Sequence, residues 1–348
     1  MKKIFPTLLV CVFAVMLILK PEISKNAIAY SIVLCGKVLI PALFPFSVCV
    51  LFIMKSGVTE KLDFLSPVTL KLFGLSASCF TLFVLSMLGG YPIGAKLLDQ
   101  AVSSKKLSQS KAQKMLGFCI NAGPAFIVAA VGNGIFGSKK LGYILLFSHI
   151  LSSFIICIFY HFIGENFNFS KNLHIKNISP ADNFVLSAGE SASVTLNICS
   201  FVILFSVITA YIENFSQLFK PFKLLLYLSE ITLGVGKTNN IYLISFLLGF
   251  GGFCVWCQIL SVGKSIKPNI LSFAIFRIIH GLLSVCITAI ILKITGFTMP
   301  TFSNNKAFGF TATYSGYPLA LSLIILGLIF IISLSGKRKN GKILEEFI

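Results

Sequence analysis

The apolar run from Ala77 to Leu88 ends in Gly89-Gly90-Tyr91-Pro92-Ile93-Gly94-Ala95-Lys96, a glycine-rich break that carries a lysine. At bilayer depth such a break leaves N–H and C=O groups without helical partners, and only surrounding protein or a water-filled cavity satisfies them. It is therefore a candidate binding site, unless it is a loop at the membrane surface. Composition decides that a membrane is involved. The 348 residues are 56% hydrophobic and 11% charged, against roughly 25% charged in soluble domains. The chain reads as an all-α polytopic membrane protein, with the lipid bilayer as its first partner. Lys and Arg outnumber Asp and Glu by 29 to 11, but they flank apolar runs, as snorkelling and topology-setting cations do. No nucleic-acid partner is expected.

The ten cysteines lie in or beside apolar segments and imply no disulfide framework. Cys254-Val255-Trp256-Cys257 has CxxC spacing, but a second ligand pair or a thioredoxin-like context is missing, so small packing residues are the better reading. Phosphate-loop, metalloprotease and nucleophile-elbow motifs are absent. The expectation is a protein that is not an enzyme and uses no cofactor or metal.

Residues 1–26 hold a first transmembrane helix, Ile4 to Leu19, with no small-residue cleavage site behind it. Residues 27–164 form a first unit. It contains a long helix kinked at Pro41 and Pro45, a re-entrant hairpin with its tip at Gly89 to Lys96, a helix split by Asn121-Ala122-Gly123-Pro124, and a plain helix with His149. Pro124 is placed to open a half-helix at its first turn, whose free N–H groups would suit an anionic or hydrogen-bonding ligand. Because alanine is about 1 kcal/mol per residue better than Gly and about 3 better than Pro in a helix, Gly123→Ala with Pro124→Ala is expected to stabilise the fold but lose function. A polar loop covers 165–183, and residues 299–348 hold a loop, a last helix from Leu319 to Leu334 and a basic tail.

Residues 184–298 repeat the first unit. Phe46-Ser47 is echoed by Phe205-Ser206, Gly94 by Gly234, Leu116-Gly117-Phe118 by Leu248-Gly249-Phe250, and His149 by His280. Because each hairpin enters and leaves on one side, each unit crosses three times, and an odd count inverts the second copy. With the two outer helices this gives about eight crossings and both termini in the cytoplasm, as the lysines at each end require. Inverted repeats with discontinuous helices are the architecture of secondary transporters, which hold substrate at the breaks.

The second unit's breaks are Ser229-Glu230-Ile231-Thr232-Leu233-Gly234 and Gly249-Phe250-Gly251-Gly252-Phe253, the latter followed by Gln258. Glu230 stands out, because an ionisable group inside a membrane costs about 2.5 to 3.5 kcal/mol on insertion scales and needs a role or a partner. Its bland alternative is an interfacial acid beside Lys237. The candidate substrate-binding residues are Gly90, Tyr91, Pro92, Gly94, Lys96, Asn121, Gly123, Pro124, Glu230, Thr232, Gly251, Gly252 and Gln258. Lys96 and Glu230 are expected to interact, directly or through ligand. His149, Arg277 and His280 are candidate proton relays, with hydrogen-bonded packing the usual role of a lone histidine. Arg277 calls for a carboxylate partner, Glu190 or Glu230.

Pro41-Ala42-Leu43-Phe44-Pro45-Phe46, Gly90 to Lys96, Phe118 to Phe126, Ser229 to Gly234, and Gly251-Gly252 with Gln258 follow one another in an order that resembles the YlbJ-type sporulation integral membrane proteins of Firmicutes. These belong to the wider Gate, or nucleoside-recognition, group. The resemblance implies a Gate-type fold akin to concentrative nucleoside transporters and a role in endospore formation, without identifying a substrate. Two functions fit: a permease for an unknown small solute or ion in the cell membrane, homo-oligomeric or not, and a non-transporting scaffold for spore-envelope assembly.

Overall fold

The structure is a computed structural model that describes residues 4–170, 179–216 and 222–296. The last helix, the basic tail, Lys2 and Lys3 lie outside those residues, as does the middle of the polar loop. All regular elements among the described residues are helical. Five are long and apolar enough to cross a membrane: Pro21–Lys55, Lys139–Phe162, Pro180–Phe215, Ile241–Val262 and Ile270–Thr295. The chain is a multi-pass membrane protein.

One order of elements occurs twice. A long helix (Pro21–Lys55) is followed by a hairpin (Ala77–Gly89 and Tyr91–Ser103), a split helix (Gln109–Cys119 and Phe126–Ile135) and an unbroken helix (Lys139–Phe162). The second set is Pro180–Ser216, the hairpin Phe222–Ser229 and Ile231–Gly236, the split helix Ile241–Phe250 and Gly252–Val262, and Ile270–Thr295. The two hairpins differ in size. The arms of the first have 13 residues each, those of the second 8 and 6.

The kink expected at Pro41 and Pro45 is absorbed rather than broken. A π-helical turn, Cys35–Leu39, precedes Pro41 and lets the helix run on to Lys55. Widening the turn is one way to continue past a residue without an N–H. At about 1.5 Å per residue the helix is about 50 Å long, so it must tilt or protrude from a hydrocarbon core of about 30 Å. The other long helix, Pro180–Ser216, packs along it.

The unbroken helices Lys139–Phe162 and Ile270–Thr295 pack on each other and on the split helices. Close approach is possible because glycine meets glycine: a Cβ on Gly249 would collide with the backbone of Gly281. Small residues at such crossings are how membrane helices gain packing without a hydrophobic driving force.

Polar contacts divide the molecule into two ends. At one end Lys114 pairs with Glu165, Ser170 N–H donates to Lys106 O, and Gln113 donates to the carbonyls of Ile266 and Lys267. Ser265 N–H donates to Asp99, and Glu190 accepts from Lys55 and Gln100. At the other end Lys20 donates to Asn214 and Lys237 pairs with Glu213. Glu190 and Glu213 lie on one helix, about 35 Å apart at its rise per residue. The first hairpin therefore opens at the Glu190 end and the second at the Glu213 end.

Candidate functional site

All four breaks meet in the interior. Gly90 sits at φ 84°, ψ 174°, a conformation essentially confined to glycine. A Cβ there would stand 3.6 Å from Gly123 N, so hairpin tip and split helix touch through backbone. The second set does likewise: Gly251 and Gly252 both have positive φ, and a Cβ on Gly252 would press on Ile231 N and the carbonyl of Leu228. Tyr91 joins the two sets. Its hydroxyl donates to Leu248 O at 2.6 Å, closing a last-turn carbonyl of the Ile241–Phe250 half-helix.

Between the breaks lies a cavity of about 40 Å³, with Tyr91, Pro92, Gly123, Glu230, Thr232 and Gln258 in its wall. Those six were all expected from sequence. The rest of the wall is apolar and comes largely from the long helices, through Leu39, Leu43, Ile198 and Val202. Gly90, Gly251 and Gly252 shape the backbone around it. Gly94 does so too, since its missing Cβ makes room for the carbonyl of Cys119.

Glu230 is buried and is the break residue of the second hairpin, as Gly90 is of the first. Its Oε2 accepts from Leu233 N–H at 2.7 Å, which caps the Ile231–Gly236 half-helix. The carboxyl thus takes its local support from backbone N–H and the positive end of a helix. The expected contact with Lys96 is not made. Lys96 Nζ lies 4.0 Å from Glu190 Oε2, in a partly exposed cluster with Lys55 and Gln100, outside the cavity wall. A lysine six residues below a hairpin tip reaches toward that hairpin's open end, and there the acid of the neighbouring long helix stands.

Arg277 also departs from expectation. Instead of a carboxylate it finds carbonyls: Nη1 donates to Ile120 O at 2.5 Å and Nη2 to Gly117 O at 2.9 Å. These are the orphan acceptors at the C-terminus of Gln109–Cys119, where the helix dipole is negative, so a half-helix end stands in for the acid. Nη2 also donates to His280 Nδ1 at 2.8 Å. Guanidinium nitrogens only donate, so His280 carries its proton on Nε2 and donates to His149 O at 3.1 Å. The two imidazoles stack at 4.4 Å, and His149 Nε2 accepts from Ala122 N–H. Both histidines belong to a buried network that ends at the first break, beside Gly123, and does not include Glu230.

Asn121, a candidate binding residue from sequence, caps the half-helix that precedes the break. Its amide donates to Phe118 O while its Oδ1 accepts from Ser153. Pro124 does open the next half-helix, with Ile127 N–H donating to Gly123 O. Sequence reasoning missed Trp256, whose indole donates to Phe250 O at the second break, and Thr209, whose hydroxyl donates to Ser229. An indole within a few residues of Gly251-Gly252 was the available signal for the first. Nothing marked the second.

A water needs about 10 to 15 Å³ and drug-sized ligands need about 300 to 1,000 Å³. The cavity as it stands suits a few waters or a bare ion, one side of which would face a carboxyl, an amide and two hydroxyls.

The chain is similar to the sporulation integral membrane protein YlbJ of Bacillus subtilis (strain 168), with 22% identity in an alignment of 320 positions and a coverage of 78% of each chain. That match agrees with the resemblance carried by the break motifs. No family model matches the chain, and no solved structure does.

Proposed function

We propose that this YlbJ-type membrane chain is a transporter-like protein that moves a small solute or ion across a membrane of the sporulating cell, through a site built from the four backbone breaks. The observation that carries this reading is the convergence of all four breaks on one cavity with a buried carboxyl in its wall. An uncharged Ser, Thr or Asn would cap that half-helix as well, so capping alone does not account for an acid there, given what an intramembrane acid costs. Hairpins that open at opposite ends support an inverted relation of the two units, and with it eight crossings and a Gate-type fold akin to concentrative nucleoside transporters. The small cavity argues against a nucleoside in this conformation.

The test is complementation of a sporulation-deficient deletion in the native spore-forming host. Glu230→Gln keeps the shape of the side chain and its acceptor oxygen, so it folds and inserts. It should nevertheless fail to restore sporulation. Normal sporulation by Glu230→Gln at wild-type protein level would leave the scaffold reading in its place.

A further inference from the structure

A second hollow lies behind the Glu230 break. It has a volume of about 250 Å³, opens at the Glu213 end, and is walled by Tyr30, Ser206, Thr209, Glu213, Leu233 and Lys237, among others. One layer of structure separates it from the central cavity. Leu233 lines the hollow while its N–H holds the Glu230 carboxyl, and Thr209 lines it while its hydroxyl donates to Ser229 at 2.9 Å. Glu230 and Thr232 face the cavity from the other side of the same half-helix.

Three features make that layer the easiest part of the interior to move. Ile231–Gly236 has six residues, against ten or more in the arms of the first hairpin and the halves of both split helices, and so short a helix has little stability of its own. Two of the six are glycines, which weaken it further. At its outer end Lys237 is tied to Glu213, whose side chain is 54% exposed, and pairs of that kind hold weakly. The opposite end is closed by several bonds between the two sets of elements: Glu190 with Lys55 and Gln100, Asp99 with Ser265, and Gln113 with Ile266 and Lys267.

We propose that this hollow is the waiting site of the solute on the Glu213 side, and that the Ile231–Gly236 half-helix is the gate between it and the central cavity. The hollow is the larger of the two spaces, so a small polar organic solute rests there and passes inward only when the half-helix shifts. The Tyr30 hydroxyl offers such a solute a donor, the hydroxyl oxygens of Ser206 and Thr209, whose own protons go to Ala27 O and Ser229, offer acceptors, and the Glu213–Lys237 pair offers both charges. This rests on the transport reading above and adds a side and a moving part to it.

The probe is a small, charged, membrane-impermeant methanethiosulfonate applied to the purified full-length protein, with labelling read site by site by mass spectrometry so that native cysteines serve as internal standards. Ala210→Cys, in the wall of the hollow, should label quickly, and Val255→Cys, in the wall of the central cavity, slowly. Adding Thr209→Val, which removes the bond to Ser229, should speed the labelling of Val255→Cys by about two- to tenfold, the worth of one hydrogen bond, and leave Ala210→Cys unchanged. Equal rates at the two sites, or no effect of Thr209→Val, would overturn the gate. Ala210→Trp, which fills the hollow, gives an independent reading by complementation and melting temperature. Lost sporulation at unchanged melting temperature supports the waiting site. Retained sporulation overturns it, and if Glu230→Gln still fails in the same assay, the transport reading survives that outcome.

Discussion

Arg277 shows at the scale of one residue how the fold accommodates a charge in the membrane. Removing the partner of a buried charge is costly, while a buried cation with three acceptors is supported. In Arg277→Met the carbonyls of Gly117 and Ile120 and the Nδ1 of His280 lose their donor, and each buried orphan costs about 1 to 3 kcal/mol. A loss of about 3 kcal/mol or more is expected in denaturant unfolding of the detergent-solubilised protein. Arg277→Lys retains the charge but not the planar fork, and should recover only part of that. A change below about 1 kcal/mol in Arg277→Met would mean that the half-helix end is satisfied some other way. Lys96 carries the complementary lesson. Its sequence position beside a hairpin tip made Glu230 the natural partner, yet side-chain reach is about 6 Å and the pairing was decided by which end of the hairpin faces Glu190.

At the scale of elements, the breaks are held from several directions. The first has Asn121 on Phe118 O, Arg277 on Gly117 O and Ile120 O, and His149 on Ala122 N–H. Alanine gains about 1 kcal/mol over glycine and about 3 over proline only in a helix interior, and neither Gly123 nor Pro124 occupies one. Gly123→Ala with Pro124→Ala is thus expected to shift stability by no more than about 1 kcal/mol, not to stabilise as a continuous helix would. It should still impair sporulation, because a Cβ at Gly123 makes only ordinary contacts with Gly90 and so projects into a small cavity. Stabilisation by several kcal/mol would show that the helix has closed across the break. These breaks were legible beforehand because glycine and proline inside apolar runs have few other uses. Polar residues next to them, Tyr91, Glu230, Thr232 and Gln258, were legible for the same reason. The apolar wall was not: Leu39, Ile198 and Val202 differ in nothing from the lipid-facing residues of the same helices until the helices are packed. The π-turn before Pro41 was hidden too, since proline marks where a helix must adapt but not how.

For the whole molecule, the lysines offer a test of topology. Lys55, Lys106, Lys114 and Lys267 gather at the end where Glu190 lies, and an excess of lysine marks the cytoplasmic side. Cysteines placed near residue 5 and near residue 340 should label from one side of sealed membranes, together with Gln109→Cys in the basic loop. Labelling of the two ends from opposite sides would remove the eight-crossing arrangement and the inversion that follows from it. The reading of the four breaks as a solute site is tested most directly by melting the purified protein, wild type and Glu230→Gln, against nucleosides, divalent cations, short-chain acids and spore-specific anions such as dipicolinate. A ligand at a hundred times its dissociation constant stabilises by about 2.7 kcal/mol, on the order of 5 °C for a chain of this kind. At least one class should raise the melting temperature of the wild type by that order, and the rise should shrink in Glu230→Gln. A ligand that stabilises both proteins equally would contradict a site at Glu230, as would no shift with any class in the wild type.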